Sequence, residues 1–281
     1  MTGGVLLPAV AGTWYPADAL ALARLVDELL VDPGGEAAPA PARALVVPHA
    51  GFAYSGRVAG LGFVRLPRDI DRVLLVGPTH YSGFPGIAVP CASLYRTPLG
   101  DVPIDVETVA GIAESAAVRR EDRPFGPEHS LEAELPFLQR RLRPGWRVVP
   151  VLVGSLADAS RRRDVLAALR PAFDERTVAV ISSDFTHYGP RFGYVPFTER
   201  VADRIRELDE SAIACLVVND ADAFREHVRN TRATICGRAA IEVLLGLLTP
   251  ASRGALVAYD TSGRITGDFE HSVSYASIAF R

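Results

Sequence analysis

The stretch ALVVPHAG, residues 44–51, joins four apolar residues to a Pro-His-Ala-Gly turn. A short apolar run that is closed by Pro and Gly is typical of a strand buried on both faces of a sheet. Three further runs have the same character, at residues 73–76, 148–153 and 178–181. Together the four runs predict the buried strands of a parallel or mixed sheet.

Helical patterns separate these runs. Residues 17–31 place four apolar side chains on one stripe, with Asp18 as a candidate N-cap. Further helical stretches are predicted at residues 56–66, 106–118, 130–142, 158–169, 198–230 and 237–248. Residues 255–259 and 273–280 are strand-like and are expected to return to the sheet. The alternation predicts one α/β domain over residues 1–281, with a mixed, mostly parallel central sheet flanked by helices.

Composition excludes several classes of protein. With 48% hydrophobic and 22% charged residues, 24 Gly and 21 Pro, the chain is not collagen-like, disordered or coiled-coil. A net charge of -3 provides no field that would hold a phosphate backbone, so we expect no nucleic-acid partner. No apolar run approaches the roughly 18 to 20 residues of a membrane span, and the first residues lack a signal-peptide pattern. We therefore expect a cytoplasmic protein without a membrane partner.

Histidines follow the predicted strands at the point where each strand ends. His49, His80 and His187, three of the six histidines, come shortly after the first, second and fourth runs. In open α/β sheets the carboxyl ends of the strands border the ligand crevice, so we expect the three imidazoles to converge. Imidazole is both a common metal ligand and the usual proton carrier near neutral pH. The cluster therefore predicts either a metal site or an acid/base site.

Cys236 is a candidate member of the same site. It precedes the apolar helix predicted at residues 237–248, and the positive end of a helix dipole lowers the pKa of a thiol. Arg238 is expected to add to this effect. The alternative is that Cys236 is a small buried residue at a helix start. Cys91 and Cys215 are expected to be structural, and three widely spaced cysteines argue against a disulfide framework.

The segment EHSLE, residues 128–132, is predicted to enter a helix, with Ser130 as its cap and Glu132 in its first turn. This structural role alone would explain the carboxylates. His129 and Glu132 are spaced to share one helix face, so a supporting role behind the site is the alternative. His227 and His271 have no comparable context and are expected to be structural.

Seven ordered motifs resemble those of the Memo family, whose prokaryotic members are also called AmmeMemoRadiSam system protein B. The motifs are GTWYP (12–16), PHAGFAYSG (48–56), GPTH (77–80), YRTPLG (95–100), EHSLE (128–132), SSDFTHYG (182–189) and TICGR (234–238). The resemblance covers nearly the whole chain. It implies a fold like that of class III extradiol dioxygenases, enzymes that use non-haem Fe(II) and O2.

The resemblance also implies roles for particular residues. His49, His80 and Cys236 would be metal ligands, and His187 would stand where the dioxygenases keep an acid/base histidine. Those enzymes use Glu as the third ligand, whereas this chain has Cys236, and the softer thiolate favours iron or copper over harder ions. The family name further implies radical-SAM and AMMECR1-like proteins as partners.

Three functions are compatible with these residues. The first is an Fe(II) or copper oxidoreductase acting with O2 on a small molecule, in which His187 moves protons and Asp184 accepts a hydrogen bond from its ring. Its pocket would be lined by Trp14, Tyr54, His129, Glu132 and Arg238. The second is a non-enzymatic module that binds a metal or a peptide, with Trp14 and Tyr15 as recognition aromatics unless they are core residues. The third is a hydrolase that uses zinc-bound water.

Overall fold

The structure is a computed structural model that describes residues 4–31 and 41–281. Its strands, in chain order, are β1 (Val5–Leu6), β2 (Ala44–Val47), β3 (Arg72–Pro78), β4 (Ile87–Val89), β5 (Leu94–Thr97), β6 (Gly100–Pro103), β7 (Val118–Arg120), β8 (Arg147–Val153), β9 (Thr177–Ser182), β10 (His187–Tyr188), β11 (Gly254–Thr261) and β12 (Ser272–Phe280). Its α-helices are α1 (Ala19–Leu29), α2 (Phe52–Phe63), α3 (Val106–Ile112), α4 (Leu135–Arg141), α5 (Ala159–Leu169), α6 (Val201–Val217), α7 (Ala221–Thr231), α8 (Arg238–Leu247) and α9 (Ser262–Thr266).

The four predicted buried strands form the centre of the main sheet, in the order β2-β9-β3-β8. Neighbours in this group are parallel, and their apolar side chains are buried. Antiparallel strands flank the group: β12 pairs with β2 and carries β10 and β11, while β4 pairs with β8 and carries β7 in parallel. The predicted α/β class, with a mixed and mostly parallel sheet flanked by helices, is confirmed.

Helices cover the sheet in two groups. Helix α2 packs on β2, β11 and β12, with α1 and α4 against it, whereas α8 packs on β3 and β9, with α5 and α7 against it. At the α1–α2 crossing, a Cβ on Gly60 would lie 2.1 Å from the Leu29 carbonyl oxygen, so only glycine permits this approach. Asp18 caps α1 as predicted, accepting a hydrogen bond from the Ala21 N–H. In the described ranges, no helix is both long and apolar enough to cross a membrane.

Several predicted boundaries are wrong. The helix expected at 106–118 ends at Ile112, because the N–H groups of Glu114 and Ser115 bond three residues back rather than four, and Val118 begins β7 instead. The helix expected at 130–142 begins as a 3₁₀ turn at Glu132–Glu134 and becomes α-helical only at Leu135. Ser130 does not cap it, since its hydroxyl donates to the Pro78 carbonyl. Sequence analysis also missed a small sheet of order β1-β5-β6, whose short strands lack a continuous apolar run.

Candidate metal centre

The strand ends bring the predicted histidines to one edge of the sheet. His49 and His80 each stand two residues beyond the end of a strand, β2 and β3, and β9 lies between those two strands. The rings of His49 and His80 are 5.3 Å apart between centroids. His187 starts β10 beyond the end of β9. Burial lowers the pKa of His49 well below its ordinary value, and the neighbouring histidines, His187 among them, lower it further. Parallel neighbours end at the same edge, which is why residues distant in sequence meet here.

His49, His80 and Cys236 form a set of donor atoms that could hold one metal ion, because all three atoms lie within 4.8 Å of one another. The sulfur of Cys236 is 3.4 Å from Nε2 of His49. A nitrogen at about 2.1 Å and a sulfur at about 2.3 Å from one tetrahedral ion would be roughly 3.5 Å apart. The two imidazoles and the thiol therefore fit a first-row transition metal.

Each histidine of this set has its other ring nitrogen engaged. Nδ1 of His49 lies 2.7 Å from the Ser182 hydroxyl, and Nδ1 of His80 lies 2.9 Å from the Glu128 carboxylate. A carboxylate accepts only, so Nδ1 of His80 carries a proton and Nε2 keeps its lone pair. Histidines that bind metals are commonly oriented by a second hydrogen bond of this kind.

Ser182 sits at the end of β9 and has three polar neighbours. Its hydroxyl lies 2.5 Å from the Ser130 carbonyl oxygen, 2.8 Å from the Glu134 carboxyl and 2.7 Å from Nδ1 of His49. The hydroxyl has one proton, and the carbonyl can only accept it, so Glu134 and His49 must both donate to Ser182. Burial raises the pKa of Glu134 well above its ordinary value, which agrees with a protonated, donating Glu134.

Glu128 is a site residue that sequence analysis did not single out. Its carboxylate accepts hydrogen bonds from Nδ1 and the backbone N–H of His80 and from the backbone N–H groups of His129 and Ser130. Burial alone would raise the pKa of Glu128, but the bonds from His80 outweigh it and lower the pKa. The sequence signal for this role is that Glu128 directly precedes a histidine in EHSLE. The pattern of that segment instead favours a helix start, which accounts for the carboxylate without a role in the site.

Cys236 lies just before α8 as predicted, but the expected low pKa of its thiol is wrong. Burial, followed by the charge of Asp184, raises that pKa well above its ordinary value. The N–H of Asp184 donates to the sulfur at 3.2 Å. Arg238 is exposed and acts on Glu242, whose pKa it helps to lower against the effect of burial. Arg238 is not among the groups that shift the pKa of Cys236, so proximity in sequence was misleading.

The predicted hydrogen bond from His187 to Asp184 is also wrong. Nδ1 of His187 lies 2.9 Å from the Phe185 carbonyl oxygen and 3.0 Å from that of Thr234. Asp184 instead accepts the backbone N–H of His49 at 2.9 Å. Carbonyl oxygens accept only, so Nδ1 of His187 carries a proton and Nε2 is the free atom of the neutral ring. Asp184 thus holds the His49 loop, and the backbone orients His187.

Aromatic rings surround His129 beside the donor set. His129 stacks on His80 with centroids 4.5 Å apart and packs against Trp14 at 4.2 Å. Burial, and then the charge of His80, lowers the pKa of His129 to about 4, so this ring is neutral near pH 7. Tyr54 and Tyr81 are largely exposed, at 44% and 60% of their surface, and Tyr81 reaches His129 with its hydroxyl. Tyr81 was not predicted.

Glu132 does not line the pocket as predicted. It is fully buried, and its carboxylate accepts hydrogen bonds from the N–H groups of Ala9 and Val10 and a very short one from the Tyr15 hydroxyl. These bonds fasten the N-terminal segment to the 3₁₀ turn. Tyr15 is accordingly a core residue rather than a recognition aromatic.

The remaining cysteines agree with the prediction that no disulfide forms. Cys91, Cys215 and Cys236 are all free, and all lie in the described part of the chain. Cys91 is exposed, whereas Cys215 is half-buried on α6 and donates to the Ser211 carbonyl. Neither lies in the donor set that contains Cys236.

Comparison with known proteins gives consistent matches over nearly the full length. A sequence profile described as Memo-like protein matches residues 7–279. The chain is 32% identical to the memo-1 homolog of Caenorhabditis elegans, over 95% of this chain and 80% of that protein. It is also 32% identical to a MEMO1 family protein of Thermococcus onnurineus, over 99% of both chains, and 30% identical to MEMO1 of Xenopus tropicalis, over 95% of this chain and 94% of that one.

A solved structure matches the fold as well. The crystal structure of an uncharacterized protein from Escherichia coli K12 aligns with a TM-score of 0.53. The alignment covers 84% of this chain and 98% of that one at 15% sequence identity. At this identity the match supports the architecture of the sheet and helices only.

Proposed function

The chain belongs to the Memo family, and from this premise we propose that it is a non-haem metal-dependent oxidoreductase acting with O2 on a small molecule. The observation that carries the proposal is the set of three donor atoms within 4.8 Å, two of them on imidazoles whose other nitrogens are already engaged. Metal-binding histidines usually have their other ring nitrogen engaged in this way. The resemblance of the sequence motifs to the Memo family, which implies a fold like that of extradiol dioxygenases, adds the expectation that the metal ion has a ligand position open for O2 or substrate.

The chemistry of the donor set suggests which metal it holds. Two imidazoles and one thiolate suit Fe(II) and copper, and they suit zinc as well. We propose Fe(II) as the resident ion, copper as the alternative and zinc as the least favoured. Bound iron would supply redox chemistry and a binding position for O2. Because the metal-free thiol has a raised pKa, metal binding is expected to release a proton from Cys236.

We assign proton transfer to His187. Its Nδ1–H is held by the carbonyl groups of Phe185 and Thr234, which fixes the tautomer of the neutral ring. Nε2 is then the atom that accepts or returns a proton. Trp14, Tyr54 and His129 would contact the substrate. Asp184 supports this arrangement from the His49 loop rather than by contacting the ring of His187.

A non-enzymatic module is the second candidate. The exposed faces of Tyr54 and Tyr81 beside a half-buried Trp14 favour it, since such aromatics can also receive a peptide. The family resemblance adds radical-SAM and AMMECR1-like proteins as proposed partners. Three free cysteines are compatible with a reducing compartment, and we propose the cytoplasm.

The test starts with protein purified without oxygen and analysed for metals. We expect close to one iron per chain, an EPR signal when nitric oxide is added as an O2 surrogate, and O2 consumption with a reductant. Cys236→Ser should lower metal affinity by about 10²- to 10³-fold, since structural sites of four ligands are worth about 10 to 16 kcal/mol, or about 2.5 to 4 kcal/mol per ligand. Cys215→Ser, a half-buried cysteine outside the site, is the matched control.

The role of His187 is tested separately. His187→Ala should keep its metal and lose about 10²-fold or more of any turnover. Metal retention without O2 consumption would favour the non-enzymatic module. A site that takes up zinc alone, or a Cys236→Ser variant that binds iron and copper as well as the parent does, would contradict the proposal.

A further inference from the structure

A cavity of about 450 Å³ opens beside the metal ligand Cys236. Thr79, next to His80, lies on its wall, and so do Arg162, Arg238 and Glu242. A second cleft of about 780 Å³ shares Arg162, Arg238 and Glu242 with the first and continues between α5, α7 and α8. A cavity of this size suits a molecule of metabolite size. Of the three donor residues, Cys236 lines the first cavity and the two histidines do not, while the second cleft is rich in arginine.

The charge of this space has the opposite sign to that of the whole chain. Five arginines and three carboxylates line the two connected volumes, an excess of two positive charges, although the net charge of the chain is -3. The arginines are Arg162, Arg225, Arg229, Arg232 and Arg238, and the acidic residues are Asp222, Glu226 and Glu242. A confined positive region on an acidic protein draws anions selectively.

Ion pairing consumes only part of this positive charge. Arg225 pairs with Asp222 and lies 3.7 Å from Glu242, and Arg229 lies 3.7 Å from Glu226. Among the described residues, Arg162 and Arg238 have no carboxylate within ion-pair distance. Two guanidinium groups on the wall of the first cavity thus have donors to spare.

Arg162 is held in position for such a role. Its Nη1 donates to the carbonyl oxygens of Leu156 and Ala157, at 2.7 and 3.2 Å, which anchors the side chain and leaves its other N–H groups available. Arg238 is the first residue of α8 and stands two positions after Cys236. The burial of Glu242 raises its pKa, while the charges of Arg225, Arg162 and Arg238 oppose that rise, so these guanidinium groups lie close enough to act on this carboxyl.

We propose that this cavity binds the anionic group, a carboxylate or a phosphate, of a small acidic molecule whose other end reaches the metal. The inference rests on the proposed function, because it takes the metal centre as the place where that molecule reacts. A planar guanidinium donates two parallel hydrogen bonds to an oxyanion, which neutral pockets cannot offer. Arg162 and Arg238 hold the anionic group, and Cys236 marks the boundary between the binding and reacting ends.

Calorimetry with matched probes tests the charge requirement. The probes are glycerol 3-phosphate with glycerol, and succinate with succinamide. We expect at least one anion of the two pairs to bind and its neutral counterpart not to bind. Preference between the two anions identifies the group as phosphate or carboxylate. If neither anion binds at millimolar concentration, or if the neutral molecules bind equally, the inference is overturned.

Variants locate the binding. Arg162→Gln and Arg238→Gln should each lower the affinity for the anion by about tenfold or more, because a charge-assisted hydrogen bond usually contributes that much. Arg163→Gln, an exposed arginine of α5 that lies outside both volumes, should have no effect. Glu242→Gln should tighten binding, since it removes the opposing charge. Equal affinity in the two test variants and in the parent would contradict the assignment.

The same titrations distinguish this inference from the proposed function. They are made on metal-free and metal-loaded protein, with metal affinity measured independently by chelator competition. In metal-free protein carrying Cys91→Ser and Cys215→Ser, the bound anion should slow alkylation of Cys236, because that thiol lines the cavity. Anion binding without metal binding would refute the oxidoreductase alone. Metal binding without anion binding would refute the anion site and leave the oxidoreductase proposal standing. Anion binding that leaves the alkylation of Cys236 unchanged would do the same.

Discussion

On one side of the candidate metal centre, His49 and His80 are oriented by side chains, whereas on the other side Cys236 and His187 are held by the backbone. Ser182 and Glu128 contact the rings of the two histidines. The sulfur of Cys236 contacts the N–H and carbonyl of Asp184, and the ring of His187 contacts two carbonyl oxygens. Substitution of a neighbouring side chain can therefore change the orientation of His49 or His80 directly. The positions of Cys236 and His187 depend mainly on the backbone around them.

The backbone side is held by the close approach of two segments, residues 182–187 and 234–237. The Thr234 hydroxyl accepts the N–H of His187 and donates to its carbonyl, and the N–H of Gly237 donates to the Ser183 hydroxyl. A Cβ on Gly237 would lie 2.4 Å from that of Ser183, so the approach requires glycine. This contact places the thiol without help from any ionised partner.

Among residues that supply no donor atom themselves, the largest effect is expected on the side-chain side, at Glu128. Glu128→Gln should lower metal affinity by about 10- to 100-fold, because an amide cannot serve the His80 ring and three backbone N–H groups as a carboxylate does. Chelator competition measures the change. The matched control is Glu132→Gln, which should leave metal affinity unchanged and instead lower the free energy of unfolding by about 1 to 3 kcal/mol. If Glu132→Gln lowered metal affinity and Glu128→Gln did not, the assignment of Glu128 as the partner that orients His80 would be wrong.

The next effect concerns acid stability of the metal-free protein. His129 has a folded-state pKa of about 4, below its ordinary value, because of burial and the charge of His80. The unfolded chain takes up this proton near pH 6.5 and the folded chain does not, so stability falls as the pH drops from about 6.5 toward about 4. Between about pH 7.5 and about pH 5 the loss should be about 2 kcal/mol in urea unfolding. His129→Gln should remove this part of the slope, and an unchanged slope would show that the ring is not held neutral.

A smaller effect is expected at Glu134, which reaches His49 only through Ser182. Glu134→Gln keeps a donor toward the Ser182 hydroxyl and should bind metal within about threefold of the parent. Glu134→Leu loses that bond and should lower metal affinity by about 3- to 10-fold. If Glu134→Gln were the more damaging variant, Glu134 would act as a charged acceptor and the tautomer assigned to His49 would be wrong.

The smallest effect is expected on the backbone side, where Asp184 acts on the pKa of the Cys236 thiol. Asp184→Asn removes the charge that, after burial, raises the pKa of the Cys236 thiol, so that pKa should fall. The pH dependence of alkylation measures it in metal-free protein whose other two cysteines are serine. Turnover that depends on His187 should survive the substitution, because carbonyl oxygens orient that ring. Loss of this turnover with normal metal content would restore Asp184 as the partner of His187.

Most of the fold could be predicted from local patterns, whereas the donor set was implied by the resemblance to the Memo family. Apolar runs are continuous only where a strand is buried on both faces, so residues 44–47, 73–76, 148–153 and 178–181 were recognised. Parallel strands end at one edge, so His49 and His80 were expected to meet. The short strands β5 to β7 have no such run, and that of β4 has only three residues, so Val118 in β7 is predicted as helix. Their pairing depends on neighbours that are distant in the chain.

The sequence by itself determined the fold class, the family and the residues that could hold a metal. Only the tertiary structure decided what each polar partner does. Glu128 and Glu132 are four residues apart, yet one orients His80 and the other fastens Ala9 and Val10. Asp184 is three residues from His187, yet it serves His49. Apolar burial follows a period that is visible in the chain, whereas a hydrogen bond depends on which distant atom lies within about 3 Å, and no local pattern records that.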